Sequence, residues 1–267
     1  MSHDVEPIRI EDKAEGRFIT LNRLDKANAL STSMLRSITE AVNTAAQDSI
    51  EAIVIRSASP TVFCAGGDIQ EFSQGLGQLE KQGSQLCALI EALNHSSVPI
   101  LAIAQGKAAG AGVILISLSD IVIASEHHSL ACPELRFGMY PCIVQGVLET
   151  RVPPGIAWQM CMNGKPMPAS IAAEHGLVTE VLGASDFEVN AESRLAYYLE
   201  RRPALRLARR ARSLGSSAKQ LSLVLQQLES LTLENFSIPG VQEHILGYLD
   251  MLSSRVSTKQ SQVQGIS

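Results

Sequence analysis

Three short apolar runs recur along the chain, each followed by small residues and then by a helical pattern. They are residues 52–56 (AIVIR), 99–104 (PILAIA) and 121–124 (IVIA). Unbroken apolar runs of this length suit strands buried on both faces, which is the condition of a parallel sheet. Only the start of the chain alternates in the antiparallel manner: residues 8–10 (IRI) and 18–21 (FITL), with Glu15-Gly16 as the turn between them. Ser31 is a good N-cap for a helix through about Ala46, because Met34, Leu35, Ile38, Ala41, Val42 and Ala45 share one face. Strand and helix in alternation predict an α/β fold with parallel strands. From about Gly155 the pattern turns mostly helical, over 157–162, 169–175, 187–201, 203–214 and 221–234. The organisation expected is therefore a core over residues 1–200 and a helical region over 201–267. The polar tail 257–267 (STKQSQVQGIS) is expected to fray.

Composition narrows the function classes. Aromatics make up only 4% of the 267 residues, so the core must be aliphatic. The net charge of −5 gives no basic footprint for nucleic acid. One basic cluster, Arg201, Arg202, Arg206, Arg209, Arg210 and Arg212, is read as a solvated helix face or an oligomer contact. The longest apolar stretch, residues 108–118, is interrupted by Gly110, Gly112 and Ser117 and is too short to span a bilayer. The five cysteines are odd in number and carry no Cys-x-x-Cys pair, which points to reduced thiols in a cytoplasmic protein and to no zinc site. The N-terminus (MSHDVEPIRIED) is acidic and polar, unlike a signal peptide.

Three stretches have the makings of chemistry. Residues 63–68 (FCAGGD) follow a buried strand, and small residues there let a ligand approach free backbone N–H groups. Residues 106–112 (GKAAGAG) lead from a strand into an apolar helix, whose N-terminus offers unpaired N–H groups and a positive dipole end. The run lacks the Lys-Ser/Thr ending of a phosphate-binding P-loop. Residues 133–141 (PELRFGMYP) place Glu134 among apolar and aromatic neighbours, where a carboxyl gains a raised pKa and moves protons near neutrality. The plainer alternative is a surface Glu134 paired with Arg136. His127 and His128 read as a surface turn after a strand, and His95 as a residue flanking a helix. Tyr140 either lines an acyl pocket or packs, and Cys132 and Cys142 are expected to pack.

Taken in order, these stretches resemble the crotonase (enoyl-CoA hydratase/isomerase) superfamily over roughly residues 6–255. Leu21-Asn22-Arg23 with Asn28-Ala29-Leu30 is similar to its first block, and residues 63–68 to its Ala-Gly-small-Asp block. Residues 105–112 followed by Ser119-Asp120-Ile121-Val122 resemble its second glycine-rich block. Pro133-Glu134 with Gly138 resembles its catalytic segment, and residues 172–178 (AAEHGLV) a later block that is structural. The resemblance implies a spiral of ββα repeats, a C-terminal helical trimerisation region, and a homotrimer or dimer of trimers. It implies a substrate held as an acyl-CoA or acyl-carrier-protein thioester, with coenzyme A or phosphopantetheine as its handle and no prosthetic group or metal. The thioester oxygen would lie between the N–H groups of Gly67 and Ala111, with Gly110 or Gly112 as the neighbouring alternatives to Ala111. The handle would run near Lys26, Ala27, Ala29, Ala65, Asp68 and Ile69, and the acyl group near Gly110, Ile114 and Tyr140.

One departure matters. The family's two-carboxylate hydratases carry a second Glu where this chain has Ile114, which cannot activate water. Glu134 alone can still take a proton from the α-carbon and return it to a leaving β-hydroxyl, or carry it between C2 and C4. The resemblance thus implies a lyase acting on 2-enoyl or 3-hydroxyacyl thioesters, with a 3-enoyl/2-enoyl isomerase as the alternative. Residues 133–142 (PELRFGMYPC) are also similar to dehydratases of polyketide β-branching. A degenerate binding protein and a decarboxylase are the remaining readings.

Overall fold

In the computed structural model, residues 6–264 are described. Ten strands are β1 (Ile8–Lys13), β2 (Gly16–Leu21), β3 (Ile53–Ser57), β4 (Val62–Cys64), β5 (Ile100–Ala104), β6 (Lys107–Ala109), β7 (Ile121–Ser125), β8 (Ser129–Ala131), β9 (Met167–Pro168) and β10 (Glu180–Leu182). The α-helices as far as residue 150 are α1 (Thr32–Thr44), α2 (Ile69–Phe72), α3 (Leu76–His95), α4 (Ala111–Leu118) and α5 (Cys142–Leu148). Those after it are α6 (Pro154–Asn163), α7 (Ala169–Glu174), α8 (Phe187–Leu199), α9 (Arg202–Ser213), α10 (Ser216–Phe236) and α11 (Val241–Gln264).

A six-stranded sheet runs in the order β1-β2-β3-β5-β7-β10, and a four-stranded sheet in the order β4-β6-β8-β9. The pairs β2–β3, β3–β5, β5–β7 and β7–β10 are parallel, and only the opening hairpin β1–β2 is antiparallel in the larger sheet. Each buried run expected from the sequence is thus a strand of the larger sheet. The chain then turns a corner and adds a short strand to the smaller one: β3 to β4, β5 to β6, β7 to β8. This repetition is the ββα spiral implied by the family resemblance.

The apolar runs are unbroken because both faces are covered. Ile53 and Ile55 face the main core with α1 and α3, while Val54 faces a second cluster with Phe187, Ala191 and Leu195 of α8. The corners stack tightly. A β-carbon on Gly106, whose φ is +68°, would lie 2.0 Å from the carbonyl carbon of Thr61 in the preceding corner. No side chain fits there, so the glycine is a requirement of the spiral rather than a loop preference.

Some local expectations are corrected. Strands β4, β6 and β8 lie in stretches that were not expected to form strands; at three residues each they carry no visible period. Helix α3 runs the full length from Leu76 to His95. Helix α11 lies within the region expected to be helical, and it continues to Gln264 through most of the tail that was expected to fray; residues 265–267 lie outside the described residues. His128 is buried, not on a surface turn. Its Nδ1–H donates to the Gly106 carbonyl at 2.8 Å and its ring meets Phe63 edge-on. Burial pulls its pKa down to about 4, so the ring is neutral.

The arginine cluster also divides. Arg206 and Arg210 are exposed, but Arg209 is buried. It donates to the carbonyls of Leu93 and Ser96 and pairs with Asp120 at 2.9 Å. Asp120 in turn accepts from Ile100 N–H at 2.9 Å, so α9 is fastened to the C-terminal edge of α3 and to β5. Removing one member of a buried ion pair costs about 3–5 kcal/mol, because the partner charge stays behind. Arg209→Met is expected to lower the unfolding free energy by about 3 kcal/mol in urea titration, since Arg212 still neutralises Asp120 at 3.1 Å. Arg206→Met is expected to change it by less than about 0.5 kcal/mol.

Candidate active site

The three short parallel strands β4, β6 and β8 lie side by side, so the segments leaving their C-terminal ends emerge together. Those segments are Ala65-Gly66-Gly67, Gly110-Ala111 and Pro133-Glu134. Ligands of parallel sheets characteristically bind at such strand ends.

The first segment is clamped from both sides. Leu30 N–H donates to Gly66 O at 2.8 Å, Asp68 N–H to Leu30 O at 3.0 Å, and Ala65 N–H to Ala27 O at 3.0 Å. Asp68 caps α2 by accepting from Gln70 N–H at 3.0 Å and pairs with Arg23 at 2.6 Å. Buried Asn28 accepts from Arg23 N–H at 2.9 Å and donates to Phe63 O at 3.1 Å. The polar loop after β2 is therefore a brace for the turn after β4. After this pairing, Gly67 N–H has no acceptor among the described residues.

The second segment turns at Gly110, with φ +50° and ψ −114°, directly into α4. The first backbone bond of that helix is Val113 N–H to Gly110 O at 2.9 Å, which leaves the Ala111 N–H unused. The two segments touch: a β-carbon on Gly66 would lie 3.7 Å from Ala111 N.

Glu134 opens a one-turn 3-10 helix, Glu134–Phe137, after β8. Its Oε1 lies 2.6 Å from where a β-carbon of Gly110 would stand, so the glycine makes room for the carboxyl. Its Oε2 is buried with no hydrogen-bond partner among the described residues. Burial pushes the carboxyl pKa up to about 7, against a smaller opposing effect of its own backbone N–H. Arg136 is exposed and makes no ion pair with Glu134 among the described residues, so the surface-pair alternative is excluded.

These groups border one cavity of about 140 Å³. Of the residues singled out in the sequence, Glu134, Gly67, Ala111, Gly110, Ala65, Ile69 and Tyr140 line it. Tyr140 donates its hydroxyl to Gln145, and burial pushes its pKa up to about 12, so it stays protonated. Lys26, Ala27, Ala29 and Asp68 lie outside the lining; Lys26 Nζ donates to Gln70 Oε1 at 3.0 Å. Ile114 is placed differently from expectation. Every residue of α4 is buried, and Ile114 packs into the main core, away from the cavity wall.

Much of the wall was missed. Leu79, Gln82 and Leu86 come from α3, Phe137 and Met139 from the segment after Glu134, and Tyr248 from α11. The helical spacing of Leu79, Gln82 and Leu86 was a usable signal. Nothing local marked Tyr248, which meets the Phe137 ring at 5.4 Å across a long sequence gap. No cluster of metal-ligating side chains occurs among the described residues, and none of their helices is long and apolar enough to cross a membrane.

The sequence profile of the enoyl-CoA hydratase/isomerase family matches residues 14–254, and the chain belongs to that family. It is 32% identical over 243 residues to the human protein named enoyl-CoA hydratase domain-containing protein 3, mitochondrial, covering 87% of this chain and 78% of that one. The zebrafish protein of the same name is matched over 66% of its length. The bacillaene synthase dehydratase PksH of Bacillus subtilis is 28% identical, over 68% of this chain and 71% of its own. A solved enoyl-CoA hydratase from Bacillus halodurans superposes with a TM-score of 0.81 at 18% identity, over 91% of this chain and all of that one, a likeness of fold.

A buried carboxyl with a raised pKa has a stability signature. Between the unfolded value of 4.5 and about 7, the folded state holds a proton that the unfolded state has lost. Folding stability therefore falls as pH rises through that window. Glu134→Gln is expected to be more stable than the parent at pH 8, by up to about 3 kcal/mol, with the gap closing toward pH 5. Denaturant midpoints at the two pH values measure it.

Proposed function

We propose that this protein is an acyl-thioester lyase that interconverts 3-hydroxyacyl and 2-enoyl thioesters, with Glu134 as the sole acid–base group. One observation carries the reading: the Glu134 carboxyl, whose buried Oε2 has no partner among the described residues, lies against Gly110, and the Gly67 and Ala111 N–H groups of the same lining are used by no acceptor among the described residues. The thioester oxygen accepts from Gly67 and Ala111 N–H, and those donors strengthen as the oxygen becomes an enolate. In dehydration the α-C–H bond breaks and its proton passes to the Glu134 carboxylate, while its electron pair moves onto the thioester oxygen. The enolate then collapses, the C2–C3 double bond forms and the C3–O bond breaks. The departing hydroxyl takes the proton back from Glu134 and leaves as water.

The cavity lining supports the dehydrating direction: Glu134 is its one acidic side chain among the described residues, so a free water lacks a second acidic anchor. The relative PksH is itself named a dehydratase. The handle is a coenzyme A or carrier-protein phosphopantetheine, entering past Ala65 and Ile69 under the loop of Lys26, Ala27 and Ala29 that Arg23 and Asp68 brace.

The decisive assay follows 3-hydroxyacyl, 2-enoyl and 3-enoyl thioesters, each on CoA and on carrier protein. Glu134→Gln is expected to lower kcat at least about hundredfold. The kcat/KM for dehydration is expected to rise with pH and level off above about 7, as Glu134 ionises. Turnover of the 3-enoyl substrate alone would move the protein to the isomerases, and unchanged turnover in Glu134→Gln would remove the mechanism.

We infer also that residues 201–267 assemble the chain into a trimer or dimer of trimers. Leu207, Leu214 and Leu223 are 66%, 74% and 72% exposed, which is costly for a monomer. Sedimentation is expected to show the trimer or hexamer, and Leu207→Glu with Leu214→Glu to weaken it.

A further inference from the structure

One polar group in the cavity wall has no part in this mechanism. Gln82 of α3 is 2% exposed and stands between Leu79 and Leu86 on an otherwise aliphatic wall. Burying an amide among apolar groups is unfavourable unless its hydrogen bonds are made. Half of them are. Its Nε2 donates to the Glu71 carboxylate at 2.7 Å and to Leu30 O at 3.3 Å. Glu71 is itself held by Thr32, through N–H at 2.9 Å and Oγ1 at 2.6 Å. Two acceptors on Nε2 fix which end of the amide is which, so Oε1 faces the other way.

That oxygen accepts from no donor among the described residues, and it is not among the fully buried unsatisfied atoms. It lies 3.0 Å from where a β-carbon of Gly67 would stand. The cavity thus presents a fixed acceptor beside Gly67, in the same lining as Glu134. A thioester group offers only acceptors, its oxygen and sulfur, so it cannot satisfy Gln82. A hydroxyl on the acyl chain can.

We propose that Gln82 is a specificity-determining residue that accepts a hydrogen bond from the hydroxyl of a 3-hydroxyacyl thioester. This rests on the lyase reading above. A site built to bond a hydroxyl discriminates against the analogue lacking it, because the buried acceptor is then left unpaired. Gln82 would orient the β-hydroxyl and favour the hydroxylated ligand over enoyl or saturated ones.

The test is binding, in the Glu134→Gln background so that nothing turns over. Dissociation constants are measured for 3-hydroxybutyryl-CoA and butyryl-CoA by calorimetry. The hydroxylated ligand is expected to bind on the order of tenfold more tightly. Gln82→Met is expected to bring that ratio close to one, while butyryl-CoA binding changes less than about twofold. Should Gln82→Met fold poorly, Glu71→Met lies outside the lining and removes the acceptor that holds Gln82 Nε2; it is expected to reduce the ratio partway. Equal weakening of both ligands, or a ratio that survives both changes, overturns the role of Gln82. Neither result bears on Glu134, whose own failure would appear as retained turnover in the single variant.

Discussion

Strands β4, β6 and β8 hydrogen-bond in parallel, and every reactive feature of the molecule depends on that. Each strand is three residues long and contributes little stability alone. What they fix is register. The turn after β4, the turn after β6 and the 3-10 turn after β8 come from distant parts of the sequence, and the ladder delivers them to one edge. The stacked corners of the spiral hold the ladder in place, and Gly106 against Thr61 is the tightest of those contacts. A side chain at that corner would displace the strand whose end carries Gly110 and Ala111.

Charge and burial are set against each other at this edge. The carboxyl of Glu134 is enclosed by apolar walls and lacks any protein donor for one of its oxygens. A surface glutamate would be a base only, with its proton held far too weakly to return. Here desolvation brings the group close to neutrality, where it exchanges a proton readily in both directions. In the proposed reaction the Gly67 and Ala111 N–H donors would work under the same low dielectric, and negative charge on a ligand oxygen would be compensated by fixed dipoles rather than by mobile water.

The sequence made the architecture legible through its buried strands and the site through its glycines. The runs 52–56, 99–104 and 121–124 carried the parallel sheet because both of their faces are covered. Gly67, Gly110 and Glu134 were singled out by the ordered blocks that resemble the family; a glycine turn or a lone glutamate alone has many structural uses, and what the structure adds is that the three line one cavity. The remaining features depend on tertiary distance. His128 is polar by type yet closes a buried corner, and Arg209 belongs to a basic run yet neutralises Asp120 in the interior. Ile114 held the position of a missing acid, but the all-round burial of α4 turns it into the core. Gln82 gave no sign of its orientation, which only Glu71 and Leu30 decide.

Tyr248 of α11 closes part of the cavity wall against Phe137. The wall is therefore drawn from segments as far apart in the sequence as Leu35 and Tyr248. Its strand-end side is tied by ladder hydrogen bonds, whereas at Tyr248 it rests on packing of one ring against another. Displacing α11 would widen the chamber on that side and leave the turns after β4, β6 and β8 where they are.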